Sequence, residues 1–332
     1  MMLKKLSTAA SALGLCTALL FPSQSVAQSE SRVPDAWPAR SIRYVIPFPP
    51  GGPGDILGRS YAQKMAEGLG KPVIVENKSG GNTVIGADAV AKAAPDGYTL
   101  LMAIASTLTI NPHLPTPLPY DPDRAFAPVG LIANVQTVLV GNKDFPPNNV
   151  KELVAYAKER PGQLFASAGE AQIYLGAVLF NRMAGVNIVP VNYKGGTTGI
   201  QAILGGEVPL GWLGASNAIA NWKAGKIKIY GIMSRRHIPG EPELRTLDEA
   251  GVPGYDVPIW QSIVVPAGTP PAVITRLNRE LVRIAALPEL RERLAPLGIE
   301  PISSTPEEMS RIVLEASSRW GKIIKEIKFQ IE

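Results

Sequence analysis

The chain has 332 residues, 45% of them apolar and 18% charged, with a formal net charge of +5. That length and apolar share suit two packed domains, and charge is too sparse for a disordered or coiled-coil chain. One Cys and two His leave no basis for zinc sites, iron–sulfur clusters or a disulfide scaffold.

In chain order, residues 1–27 predict a secretory signal peptide. Lys4 and Lys5 form its positive start, residues 6–21 its apolar stretch, and Ser25-Val26-Ala27 a small-residue cleavage site. The alternative is a membrane anchor, but Ser and Thr interrupt the stretch and Pro22 ends it, short of the ~20 residues a span needs. Cys16 follows Leu15 rather than a small residue, so it is expected to leave with the signal rather than carry lipid. A Cys-free exported product suits an oxidising compartment. No later segment approaches the length of a membrane span, so the product is expected to be soluble outside the cytoplasm.

Residues 28–39 are polar and predict a disordered lead. Short β-branched runs then alternate with segments of helical period. Strands are predicted at 42–47, 73–76 and 98–104, with helices at 55–69 and 85–93 between them. A Pro-rich stretch, 111–128, is expected to wrap the surface. Next come a helix at 150–160 behind Asn148 and Asn149, a strand at 164–167 and a helix at 172–183. Strands at 188–191, 208–213 and 227–233 alternate with helices near 198–204 and 217–223. The last region has a strand at 259–265, a helix opened by Thr269-Pro270, and a C-terminal helix opened by the capping box Thr305-Pro306-Glu307-Glu308. This alternation predicts an α/β fold with mainly parallel sheets, whose ligands sit beyond the carboxyl ends of strands.

Function is therefore sought in the strand-to-helix loops. The first, Pro47-Phe48-Pro49-Pro50-Gly51-Gly52-Pro53-Gly54-Asp55, joins stiffening prolines to glycines that permit positive φ and close backbone approach. Free amides at the following helix start then offer an anion site. The Asp55 carboxylate is read as a helix cap. No dinucleotide fingerprint or P-loop is present. Residues 76–82 and Tyr193-Lys194-Gly195-Gly196-Thr197 make further Gly-rich loops. Lys194 either holds an anion or stands in solvent. Ser106 and Thr107 offer hydroxyls at a loop mouth, or cap local backbone.

Two other function classes need weighing. Residues 214–218 place Ser216 between a strand and a helix, near the Gly-x-Ser-x-Gly pattern, so a secreted α/β hydrolase acting through Ser216 is the alternative. That fold needs a His after the Ser; His237 is the one that follows, and His113 precedes. Otherwise Ser216 is a helix cap, with Asn217 beside it facing ligand or backbone. A nucleic-acid reading of the basic balance lacks clustered Lys and Arg and aromatic platforms, so no nucleic-acid partner is expected.

The run 46–55, IPFPPGGPGD, resembles the first loop of the tripartite tricarboxylate transporter substrate-binding receptors, the Bug family. Residues 75–81, 94–101, 120–122 with 126–129, 193–195, 223–226, 247–254, and 266–270 with 276–278 match that family in order, from about residue 37 to the end. The resemblance implies a two-lobed fold like that of type II periplasmic binding proteins, with a ligand cleft between lobes. It implies a non-enzymatic receptor, without cofactor and expected as a monomer, that passes a small carboxylate to two integral membrane subunits. Lobe boundaries are expected at 37–136 plus 256–332 and at 137–255.

The candidate ligand residues are then Phe48, Pro50, Gly51, Gly52, Gly54 and Asp55 in the first loop and Ser106 and Thr107 in the next. The second lobe adds Ser167, Gly169, Glu170, Ala171, Gln172, Tyr193, Lys194, Gly195, Ser216 and Asn217. One loop departs from the family pattern Ser-x-Gly-x-Gly-Ser-x-x-His-Leu. Residues 167–175, SAGEAQIYL, are one shorter, with Ala171 for the second Gly and Tyr174 in the His position. A Glu170 facing the cleft disfavours a second ligand carboxylate and favours an amine or hydroxyl; facing solvent, it does neither.

Overall fold

A computed structural model describes residues 37–193 and 196–327. The predicted signal at 1–27, and with it most of the lead at 28–39, lies outside the described residues, as do Lys194 and Gly195. The end of that lead is anchored: the Ala39 N–H donates to the Tyr98 hydroxyl at 2.8 Å, and the Arg40 guanidinium lies over the Tyr98 ring.

The chain first makes β1 (Ile42–Ile46), α1 (Pro53–Leu69), β2 (Val73–Asn77), α2 (Val84–Ala91), β3 (Thr99–Ile104), α3 (Ala105–Thr109) and β4 (Phe126–Val135). It continues with β5 (Thr137–Asn142), α4 (Val150–Lys158), β6 (Leu164–Ala168), α5 (Ala171–Ala184) and β7 (Ile188–Val191). Then come α6 (Gly196–Leu204), β8 (Leu210–Gly214), α7 (Ala215–Lys223), β9 (Ile227–Ile232) and α8 (Leu247–Ala250). The last part is β10 (Ile259–Pro266), α9 (Pro271–Ala285), α10 (Pro288–Leu294), β11 (Ile299–Pro301) and α11 (Pro306–Ile327).

Two sheets result, one in the order β11-β4-β10-β3-β1-β2 and one in the order β7-β6-β8-β5-β9. The α/β class holds, and both sheets are mixed. β1 pairs in parallel with β2 and β3, and β6 with β7 and β8. β10 runs antiparallel to β3 and β4, and β5 antiparallel to β8 and β9. The reason is connectivity: β5 and β10 are the strands that enter each sheet from the other. Neither arrives through a crossover helix from a neighbouring strand of its own sheet, since only Gln136 leads from β4 to β5 and the segment that holds α8 leads from β9 to β10.

That direct passage is the main difference from the sequence reading. The surface stretch predicted to last to Pro128 gives way at Phe126 to β4, and only Gln136 separates β4 from β5. Gln136 is bonded to both sides. Its N–H donates to the Gly298 carbonyl at 2.9 Å, and its carbonyl accepts from the Ala215 N–H at 2.8 Å. At the second passage the Val257 N–H donates to the Met233 carbonyl at 2.8 Å.

Alternation of side chains across each pleat gives every sheet two buried faces. Tyr44 and Ile46 pack with Leu57, Tyr61 and Met65 of α1 on one face of the first sheet; Val45 turns to the other, with Leu101 and Met309. In the second sheet Leu139 joins Trp212, Phe180 and Tyr255, while Val138 and Val140 join Ile203 and Leu213. α11 belongs to both halves. Met309 lies in a core of the first sheet, whereas Trp320, Ile323 and Ile324 lie in a core of the second, so residues 256–332 do not all stay with the first sheet.

Caps follow the local chemistry. Thr305 and Glu308 exchange side-chain and backbone bonds at 3.1 and 2.8 Å, and Asn149 accepts from the Glu152 N–H at 2.9 Å. α9 departs from expectation: Thr269 does not cap it. The Thr269 hydroxyl donates to the Pro266 carbonyl at 2.7 Å, and the helix opens at Pro271, where a missing N–H costs nothing.

Candidate functional site

A cavity of about 430 Å³ opens between the two sheets. It lies past the carboxyl ends of β1, β3, β6, β7 and β8, where loops turn into α1, α3, α5, α6 and α7. Phe48, Pro50, Gly52, Gly54 and Ser106 line it from the first half, and Ser167, Gly169, Glu170, Gln172, Tyr193, Ser216 and Asn217 from the second. Sequence-distant parts of the molecule thus bring twelve of the predicted residues together.

Four predicted residues stand outside the lining. Asp55 is buried behind the first loop rather than aimed into the cavity. Neither is it the cap at the helix start, which is Gly52, without a side-chain bond. Asp55 sits two residues into α1 and reaches back. Its Oδ2 accepts from the Gly51 N–H and from Arg59 Nε, both at 2.9 Å, and its Oδ1 accepts from Asn77 Nδ2 at 2.8 Å. Burial pushes its pKa up, but Arg59, the Gly51 amide and Asn77 outweigh this and hold the carboxyl below its ordinary range. Thr107 is buried with its hydroxyl 2.7 Å from that of Thr83. Ala171 is the first residue of α5 and turns away. Gly51 carries the positive φ of the loop, +84°, while Gly52 is extended at −77°.

The Gly51 amide is therefore spent on Asp55, and Pro53 has none. Gly52 and Gly54 remain as the cavity-lining amide carriers before the first intrahelical bond, Ile56 N–H to the Gly52 carbonyl at 2.9 Å. The remaining loops are shaped by small residues. A Cβ on Gly54 would meet the Phe48 ring at 2.7 Å, and one on Gly196 would meet Asn217 Nδ2 at 2.3 Å. Gln172 Nε2 donates to the Pro258 carbonyl at 2.9 Å, tying the start of α5 to the segment before β10. Tyr193 donates to Glu207 at 2.7 Å, which raises its phenol pKa.

Glu170 faces the cavity, and Tyr174 packs against the apolar cluster behind it. Glu170 is exposed at the cavity yet surrounded by protein, and that desolvation raises its carboxyl pKa. Sequence reasoning missed Gln261 and Thr137, which also line the cavity. Gln261 had a signal: it is a polar residue inside the otherwise apolar β10. The Ser167 hydroxyl and Gln261 Oε1 are buried and have no hydrogen-bond partner among the described residues.

Nothing in this arrangement makes Ser216 a nucleophile. His113 is bonded to Ser317 at 2.7 Å and His237 to Glu249 at 3.1 Å, so neither imidazole serves Ser216 as a base. Among the described residues no group of three His, Cys, Asp or Glu is placed to hold a metal ion.

Relatives match this chain over most of its length. A UPF0065 protein of Bordetella pertussis is 34% identical, over 89% of this chain and 92% of its own length. BugT of the same organism is 32% identical, over 88% and 90%. Among solved structures, an R. palustris protein with adipate superposes with a TM-score of 0.76 at 32% identity, covering 87% of this chain and 97% of its own. The periplasmic binding protein BugD gives 0.73 at 34% over 89% and 100%, and MatC from Rhodopseudomonas palustris with bound malate gives 0.72 at 31% over 87% and 100%. Residues 57–329 match the model of the tripartite tricarboxylate transporter family receptor, and the chain belongs to that family.

Proposed function

We propose that this chain is an exported receptor that traps a small organic anion, a carboxylate, between its two lobes and hands it to a membrane transporter. The observation that carries this reading is the convergence of helix starts on a cavity whose described lining holds no Lys or Arg. Backbone amides and aligned peptide dipoles then supply the attraction for an anion. Adipate and malate in two solved relatives support the carboxylate class.

In this reading residues 1–27 are removed on export and the receptor works in the periplasm as a monomer. It delivers its cargo to two integral membrane subunits and needs no cofactor. Residues 37–136 plus 256–332 form one lobe and 137–255 the other, except that the later turns of α11 pack on the second. They close about the Gln136 and 233–257 passages, as a two-stranded hinge allows. Gly52 and Gly54 receive the carboxylate, with Ser106, Ser167, Ser216 and Asn217 completing its bonds.

A thermal-shift screen of small mono- and dicarboxylates, amino acids and aromatic acids tests the function. A ligand at 100 times its dissociation constant adds ~2.7 kcal/mol of stability. At least one carboxylate is expected to stabilise the protein, and neutral sugars are not. Stabilisation by neutral solutes alone, or ester turnover abolished by Ser216→Ala, would overturn the reading.

A further inference from the structure

Glu170 is the one residue with a formally charged side chain among the described residues that line the cavity. It occupies the cap position of α5 without capping it, and no described residue forms an ion pair or hydrogen bond with its carboxylate. A carboxylate held this way stays hydrated while the cleft is open. Closure on a ligand removes that water, and an ionised group left without a partner in a closed cleft is costly.

The same cavity holds two further polar groups in need of partners. Ser167 is 1% exposed and Gln261 is 7% exposed, and neither the Ser167 hydroxyl nor Gln261 Oε1 has a hydrogen-bond partner among the described residues. They come from opposite sheets, on β6 and β10. Space has been kept for the Ser167 hydroxyl: a Cβ on Gly211 would lie 2.4 Å from it and one on Gly199 3.1 Å. The described lining therefore holds amide donors for an anion, two unpartnered polar groups, and one fixed negative charge.

We propose that Glu170 is a specificity-determining residue that selects solutes carrying a cationic amino group together with the carboxylate. The inference rests on the carboxylate-receptor reading above and narrows it. A ligand ammonium pairs with Glu170 on closure, whereas a second ligand carboxylate meets like charge. Dicarboxylates such as the adipate and malate of the solved relatives are the disfavoured class for this chain.

Calorimetry on the full chain without its signal tests this with matched probes: 4-aminobutanoate against succinate, and 6-aminohexanoate against adipate. Wild type is expected to bind the amino member of at least one set tenfold or more tightly than its dicarboxylate counterpart. Glu170→Gln, nearly isosteric, should erase or invert that ratio, and Glu170→Asp should largely keep it. Melting temperatures of the unliganded variants should match wild type, since the side chain supports no contact. Tighter dicarboxylate binding in wild type, or a ratio unmoved by Glu170→Gln, overturns the role of Glu170 and leaves the receptor reading standing. Failure of every probe to bind both wild type and Glu170→Gln overturns the carboxylate reading itself, and this inference with it.

Discussion

Asp55 and Asn77 are 22 residues apart in sequence, and the Asn77 side-chain amide donates to Asp55 Oδ1 at 2.8 Å. The same amide nitrogen donates to the Phe48 carbonyl at 2.9 Å, so the end of β2 fixes both the entry of the first loop and its exit into α1. The loop presented to the cavity is thus shaped by a residue that never touches the cavity.

Removing that clamp should weaken folding and binding together. Asp55→Ala strips partners from the Gly51 amide, Arg59 and Asn77. Hydrogen bonds to a charged group contribute about 1.5–3 kcal/mol, and a loss near 2 kcal/mol in urea denaturation is expected. Affinity for the ligand found by screening should drop several-fold although Asp55 lies outside the lining. Unchanged affinity would show that the loop holds its shape without the clamp.

Acid should act through the same group. The folded state lowers the pKa of Asp55, so its contribution is fully present above the unfolded value, ~3.9, and is lost as pH falls through the folded value. Stability should therefore decline below about pH 4, and Asp55→Asn should flatten that decline. Glu249 and Glu289 also have lowered values but stand at the surface, where solvent weakens their share. Urea midpoints across pH 2.5–6 in both proteins decide the point, and parallel curves would remove Asp55 from the account.

Three glycines of the first loop should respond differently. Gly51→Ala has open space but imposes a side chain at φ +84°, with an expected cost of about 1–2 kcal/mol. Gly54→Ala gains up to ~1 kcal/mol of helix propensity, which offsets the displacement of the Phe48 ring from 2.7 Å. Its stability should stay near wild type while affinity falls tenfold or more. A Cβ at Gly52 meets only the Pro49 carbonyl, at 4.0 Å, so the protein with Gly52→Val should fold and binding should fail through bulk in the cavity. Melting curves beside titrations separate the three.

Gln172 is expected to matter twice. Gln172→Ala leaves the Pro258 carbonyl without its 2.9 Å donor, at a cost of about 1–3 kcal/mol, and it loosens the passage into β10. Gln172→Glu keeps the size but offers no N–H, so it should be at least as destabilising. Denaturation midpoints equal to wild type would mean that this tie is dispensable.

Sequence patterns revealed the elements that are framed by Gly and Pro. β1, β2, β3, β7 and β10 were legible as β-branched runs between such residues, and the loops after β1 and β6 stood out because glycines gather there. β4 and β5 were not legible. Pro128 lies inside β4, and two strands that follow each other with one residue between carry no helix signal to separate them. The mixed sheets follow from that omission. In the site, residues of the loops and helix starts were found, with Ser167 near the end of β6, whereas Gln261 on β10 and Thr137 on β5 were not. Gln261 and Thr137 reach the cavity only because folding sets β10 and β5 against loops more than a hundred or a few tens of residues away, which no local pattern encodes. Asp55 was located but misread, because its three partners include one from another strand.

The path of α11 bears on how the molecule comes apart. Its first turns place Met309 in one core, and its later turns place Trp320, Ile323 and Ile324 in the other. Melting either core must unseat a helix on which the other depends, so the halves have no independent transition. Scanning calorimetry should give one endotherm, with van't Hoff and calorimetric enthalpies in agreement. Trp320→Ala should lower its midpoint and not split it.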